Sequence, residues 1–320
     1  MNHTYVIGVD MGGTHTAFGA VDARGRIACR GQILTGDYDT GEDYINALGD
    51  AINQLIKDNE LTDKVRGIGM GAPNGNMNDG TIAKAANIPW AKTVVVPVTK
   101  MLTKRTGLPC KLTNDANAAA VGEMTYGAAK GMKDFIVITL GTGLGSGIVA
   151  NGQLIVGHDG FAGELGHAIM IRRNGRLCGC GRTGCLETYA SATGVARTAR
   201  EMLEENPHKQ SLLRAIVYRP LTSKDVYEAA KQGDELAIEI FNFTGEILGE
   251  AFADFITFSS PQAIILFGGL AHSGDFLLKP LLQSLDKHIL SVYKDKTQIL
   301  ISQLNDAEAP ILGASALAWE

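Results

Sequence analysis

Two related α/β domains are what this chain predicts, on three observations. Its 320 residues exceed the length at which a single hydrophobic core keeps growing. Short β-rich runs alternate with segments of helical period from end to end. The pattern of strand, glycine turn and outgoing strand occurs twice, as VIGVD then MGGT at the start and as VITL then GTGLGSG about 130 residues later. No Pro/Ser-rich or strongly charged linker separates the halves, so the domains are expected to share a hinge.

The elements follow in order. Residues 5–9, 17–21 and 27–34 read as three strands separated by glycine or Asp/Arg/Gly turn signals, an antiparallel meander. Residues 43–58 place Ile45, Leu48, Ile52, Leu55 and Ile56 near helical spacing, so a helix should cover that sheet. A strand at 65–70, a helix at 95–106, a short strand at 111–113 and an Ala-rich helix at 116–126 come next. The second half opens with strands at 135–140, 147–150 and 153–156. Helices are expected at 195–204, 223–231 and 234–257, then a strand at 263–267, a helix at 277–290, a strand at 298–301 and a closing helix from Pro310.

Composition excludes several function classes. Hydrophobic residues make up 45% of the chain, enough for two packed cores, and the charge balance is 29 − 34 = −5. With no dense Lys/Arg stripe, a nucleic-acid partner is not expected. No apolar run approaches bilayer length, so no membrane partner is expected either. The N-terminus MNHTYVIGVD lacks the ordered basic, apolar and cleavage regions of a signal peptide, and the expected compartment is the cytoplasm.

Three of the five cysteines fall within CGCGRTGCLE, as Cys178, Cys180 and Cys185, with His167 eleven residues upstream of the first. Three thiolates and one imidazole fill a tetrahedral zinc shell, and glycines at 179, 181 and 184 allow so short a loop to fold back on one ion. A filled shell has no open position, so the Zn2+ would be structural. A disulfide is the competing reading and would need an oxidising compartment. Cys29 and Cys110 lie in apolar contexts and read as plain buried thiols.

The glycine turns carry the next layer. Gly12, Gly13 and Thr14, and again Gly141, Thr142 and Gly143, allow main-chain N–H groups to converge on one point, each with a hydroxyl donor added. Two such turns suit a polyphosphate. A Rossmann turn does not fit, because Ser146 stands where the third glycine should be and a strand follows, and no GxxxxGK[ST] is present. Asp10 closes the first strand just before its turn, where it could hold Mg2+ directly or through water. In TNDANAAA, Asn114 or Asp115 could cap the helix, leaving the other free. Glu164 and His167 in GELGH, and Glu187 after the cysteine loop, are polar groups amid glycines, as a hydroxyl-rich ligand requires.

Together, DMGGT at 10–14, the run from LGTGLGSGI to GELGH at 140–167, and CGCGRTGCLE resemble the ROK family of bacterial sugar kinases and sugar-responsive repressors. The resemblance spans essentially the whole chain. It implies an actin-like, ribonuclease-H-like ATPase fold of two α/β domains with a cleft between them, drawn here as 1–117 plus 308–320 and 118–307. It implies that Asp115 is the catalytic base, that Gly12 to Thr14 and Gly141 to Gly143 bind ATP phosphates, and that Gly268 and Gly269 lie near adenosine. Asn114, Glu164, His167 and Glu187 would hold the sugar, and His167 with the three cysteines the zinc. GAPNGN at 71–76 and NIPW at 87–90, which begins with Asn87, resemble the family's sugar-side loops. Asn74 stands where the family commonly has glycine, and His15 where lysine or asparagine is frequent.

The activity implied is transfer of the γ-phosphoryl of ATP to a hexose, with Asp115 accepting the hydroxyl proton. The CGCG ligand pattern resembles glucokinases and N-acetylhexosamine kinases, whereas fructokinases usually place a histidine among the ligands, which tilts the expectation to the 6-OH of glucose. N-acetylmannosamine, N-acetylglucosamine, allose and fructose are the alternatives. A sugar-sensing regulator is the competing class, but the repressors carry a helix-turn-helix ahead of the first glycine turn and only nine residues precede Asp10 here. Homodimerisation is a family expectation.

Overall fold

The computed structural model describes residues 4–85 and 88–319. Its first sheet grows from the predicted meander: β1 (Tyr5–Met11), β2 (His15–Asp22) and β3 (Ile27–Leu34) pair antiparallel. Then β4 (Val65–Gly71) and β5 (Cys110–Thr113) add in parallel, giving the order β3-β2-β1-β4-β5.

Both faces of this sheet are covered, and β1 shows why its sequence is apolar from Val6 to Val9. Ile7, Val9 and Met11 enter a core shared with Tyr44, Ile45, Leu48 and Ile52 of α1 (Gly41–Asp58) and Leu102 of α2 (Val98–Thr106). Thr40 caps α1 by accepting the Asp43 N–H. On the opposite face, Val6 packs with Ile311 and Leu312 of α9 (Ala309–Ala316). The helix backbone lies almost on the sheet there: a Cβ on Gly8 would strike the Ile311 carbonyl oxygen, and one on Gly69 the Ala314 carbonyl oxygen. α3 (Asp115–Tyr126) runs beside α9 with Gly122 against Gly313.

The second sheet contains β6 (Phe135–Leu140), β7 (Leu144–Ala150), β8 (Gln153–Leu154), β9 (Ala263–Phe267) and β10 (Gln298–Ile301), in the order β10-β9-β6-β7-β8. β10, β9 and β6 are parallel neighbours, and all six residues of β6 are apolar or threonine, as a strand covered on both faces requires. The helices that follow β8 are α4 (Glu187–Ala190), α5 (Ala192–Glu205), α6 (Ser223–Lys231), α7 (Glu235–Ser259) and α8 (Asp275–His288). α7 and α8 touch closely where Gly245 meets Pro280 and Gly249 meets Ser284.

Packing divides the described residues into two units, one within 1–133, 147–163 and 303–320, the other within 134–146 and 164–302. The expected boundary at 117 would cut through α3, whose whole length packs with the first unit because its glycine contact with α9 lies beyond that point.

Five local features differ from expectation. The helix expected from Val95 begins at Val98, because Pro97 holds the preceding residue extended and Val96 instead exchanges backbone hydrogen bonds with Ile82. β7 starts three residues earlier than expected and β8 is only two residues long. The four-residue α4 was not anticipated, since one turn shows no period. Cys29 and Cys110 are half-buried, not buried.

Candidate active site and metal centre

In the first unit the parallel register brings the polar residues to one sheet edge. Asp10 on β1 pairs with Gly71 on β4, which pairs with Thr113 at the end of β5, immediately before Asn114 and Asp115. Carboxyl ends of parallel strands are where α/β sheets bind ligands. Asn114 is the N-cap of α3, its Oδ1 accepting the Asn117 N–H at 2.7 Å. Asp115 is the first helical residue, exposed, with Oδ1 accepting the Ala116 N–H at 2.9 Å. Capping thus falls to Asn114. Burial, and secondarily the charge of Asp115, raise the carboxyl of Asp10 from 3.8 to about 6. Two carboxylates near enough to feel each other's charge, one of them reluctant to ionise, suit a divalent cation such as Mg2+.

The first glycine turn is closed by the Gly12 N–H donating to the His15 carbonyl at 2.9 Å. Among the described residues no backbone acceptor takes the N–H groups of Gly13 and Thr14, which leaves both for a ligand. Asn74, in the segment 71–76, has φ 54°, and its Nδ2 donates to the carbonyls of Ala83 and Lys84. A left-handed backbone explains why glycine suits that position and why asparagine is tolerated there. Asn87 lies outside the described residues.

The second unit repeats the turn. Gly141 N–H donates to the Gly143 carbonyl at 3.1 Å, Leu144 N–H to Glu187 Oε2 at 2.9 Å and Gly145 N–H to Thr139 Oγ1 at 3.1 Å. Thr142 and Gly143 again keep N–H groups with no backbone acceptor among the described residues. A Cβ on Gly143 would displace Glu187 Oε2 from the Leu144 N–H, so glycine here leaves room for that carboxylate. Gly268, at φ 102°, packs against the Leu140 carbonyl at the end of β6, placing it and Gly269 beside this turn.

Below the turn, the donor atoms of His167, Cys178, Cys180 and Cys185 all lie within 4.8 Å of one another. Cys178 Sγ is 3.7 Å from His167 Nδ1, and Cys180 Sγ is 3.7 Å from Cys185 Sγ. A tetrahedron with zinc–sulfur bonds of about 2.3 Å has edges of about 3.8 Å, so the donor set fits zinc. His167 turns its other nitrogen, Nε2, toward Glu164 Oε2 at 4.0 Å. The expected residues therefore gather as two sets: Asp10, Gly12 to Thr14, Asn114 and Asp115 in the first unit, and Gly141 to Gly143, Glu164, His167, Glu187, Gly268, Gly269 and the cysteines in the second.

The ROK family model matches residues 6–320. This chain belongs to the ROK family. Among ROK relatives, the glucokinase of Halalkalibacterium halodurans is 38% identical over 319 residues, covering 99% of this chain and 96% of that one. A ROK glucokinase from Streptomyces griseus, solved with glucose and AMPPNP, is 34% identical with TM-score 0.79, over 98% of this chain and 99% of its own. The ROK hexokinase from Thermus thermophilus is 29% identical with TM-score 0.82, over 98% of both. The fold is the actin-like ATPase fold of ROK sugar kinases.

Sequence reasoning missed one buried polar group in the first unit. Tyr44, Thr16, Thr35 and Trp90 join through hydrogen bonds behind the first turn. Thr16, Thr35 and Tyr44 lie too far apart in sequence to form a motif, and only their complete burial marks them.

Proposed function

We propose that this chain is an ATP-dependent hexokinase that transfers the γ-phosphoryl of ATP to a hexose hydroxyl, with the 6-OH of glucose as acceptor. The observation that carries the reading is the division of labour at α3, where Asn114 caps the helix and leaves Asp115 exposed at the strand ends. Full-length similarity to glucokinases supports the substrate class.

Asp115 accepts the hydroxyl proton as the sugar oxygen attacks the γ-phosphorus in line. Unpaired N–H groups at Gly13, Thr14, Thr142 and Gly143 donate to phosphate oxygens, and Gly268 and Gly269 leave room for adenosine. Asp10 would hold Mg2+, directly or through water, and the ion would supply positive charge opposite the phosphate oxygens. Asn114, Glu164, His167 and Glu187 bind and orient sugar hydroxyls, with Asn87 assigned to the same task from its resemblance. His167 and the three cysteines would hold Zn2+ as a structural ion; with Nδ1 facing the thiolates, His167 turns Nε2 toward a hydroxyl.

No described helix is long and apolar enough to cross a membrane. A cytoplasmic location and a homodimer complete the reading. The deciding experiment is an ADP-release assay across glucose, mannose, allose, fructose, N-acetylglucosamine and N-acetylmannosamine. Highest kcat/KM on glucose is expected, and absence of sugar-dependent ADP release overturns the assignment.

A further inference from the structure

Behind the first glycine turn runs a closed circuit of polar contacts that proton abstraction does not use. The Thr35 N–H donates to the Thr14 carbonyl at 2.8 Å, and the Trp90 indole N–H donates to the Thr35 carbonyl at 3.1 Å. Thr35 Oγ1 lies 2.8 Å from Thr16 Oγ1, which lies 2.7 Å from the Tyr44 hydroxyl. The Tyr44 ring stacks on Trp90, with centroids 4.7 Å apart and planes 26° from parallel, which closes the circuit.

Every member is withdrawn from water: Thr16, Thr35 and Tyr44 are fully buried and Trp90 is 5% exposed. A core needs no hydroxyls for stability alone, and a buried polar ring whose groups satisfy one another has few alternative arrangements. Displacing one member leaves its partner unpaired in the core, so movement at one end is resisted at the other.

The two ends are what give the circuit a purpose. One is Thr14, whose N–H together with that of Gly13 faces the nucleotide phosphates in the proposed function. The other is the short turn Pro89–Ala91, whose Pro89 and Trp90 belong to the segment 87–90 that resembles the family's sugar-side loop. Thr35 joins both, with its N–H on the phosphate turn and its carbonyl on the sugar-side tryptophan.

We infer that Trp90, Thr35 and Tyr44 are positioning residues that couple hexose binding at the Pro89–Ala91 loop to the set of the Gly12–Thr14 phosphate turn, so that sugar and nucleotide bind with positive cooperativity. This rests on the hexokinase reading. Such coupling is reciprocal, so each ligand tightens the other by the same factor.

The test is calorimetric titration of AMPPNP with Mg2+, with and without saturating glucose, on the wild-type chain, Trp90→Phe and Tyr44→Phe. In the wild type, glucose is expected to tighten AMPPNP roughly fivefold or more, within the usual span of coupling between sites. In Trp90→Phe, which keeps an aromatic ring but loses the indole N–H, that ratio falls toward unity. A purely structural role would lower Tm in the variant and leave the ratio intact. If Trp90→Phe does not fold, Tyr44→Phe, which removes one oxygen, decides in its place. A wild-type ratio of unity, or a folded deciding variant with the full ratio, overturns the inference. Failure of the hexokinase reading looks different: the wild type then neither binds glucose nor releases ADP with any hexose.

Discussion

Glu187 Oε2 accepts the Leu144 backbone N–H at 2.9 Å, while Oε1 of the same carboxylate lies 3.8 Å from Cys178 Sγ. One side chain thus braces the second glycine turn and touches the cysteine loop. A residue that only bound sugar would affect sugar alone. Glu187→Ala is expected to raise KM for ATP as well as for glucose, each by on the order of tenfold, about 1.4 kcal/mol. Steady-state kinetics with each substrate varied in turn check this, and an unchanged KM for ATP would show that the brace has no role in nucleotide binding.

Asp115→Asn keeps the size of the side chain and its ability to accept the Ala116 N–H, but removes the base. Turnover should fall on the order of 10²-fold or more, while glucose binding measured by calorimetry persists. Near-normal kcat would remove Asp115 from the mechanism.

Asp10 offers a pH prediction whose sign follows from its raised carboxyl, at about 6 against an ordinary 3.8, caused first by burial and then by the charge of Asp115. Because the folded state favours the protonated form, this group's contribution to stability is fully present below the unfolded value and is lost as pH rises through about 6. In metal-free protein, Asp10→Asn should therefore be more stable than wild type near neutrality, by up to roughly 3 kcal/mol. That advantage should shrink as pH falls from about 8 to about 5. Urea midpoints across that range are the measurement, and an advantage independent of pH would contradict the carboxyl's burial. The same variant should lose activity at every pH.

Metal removal tests the cysteine centre. We expect one zinc per chain by elemental analysis, and chelation should weaken glucose affinity before it unfolds the chain, because the ion fixes the ring of His167. Cys180→Ser, at the exposed ligand, should lower zinc occupancy in the same direction. A zinc-free, folded chain with unchanged glucose affinity would separate the metal from sugar binding.

Much of this was legible in the sequence because it is local. The glycine turns, the Asn114-Asp115 pair and the cysteine loop each draw their chemistry from residues a few positions apart, and the apolar periods that place β1, α7 and β9 are equally short-range. Asn74 shows the limit: its identity was visible, but its φ of 54° and the reason glycine suits that position were not.

By itself the sequence determined the element order, the doubled glycine turn, the Cys/His donor set and a carboxylate poised at a strand-to-helix junction. Only tertiary structure decided that Asn114 takes the cap, that Asp10 is half-buried within reach of the Asp115 charge, that Glu187 braces a turn 43 residues upstream, and that Trp90 reaches Thr35 across 55 residues. The physical reason is range. Propensity, capping and ligand spacing act between chain neighbours, whereas burial, electrostatic coupling and buried hydrogen bonds depend on which distant segments the core brings into contact.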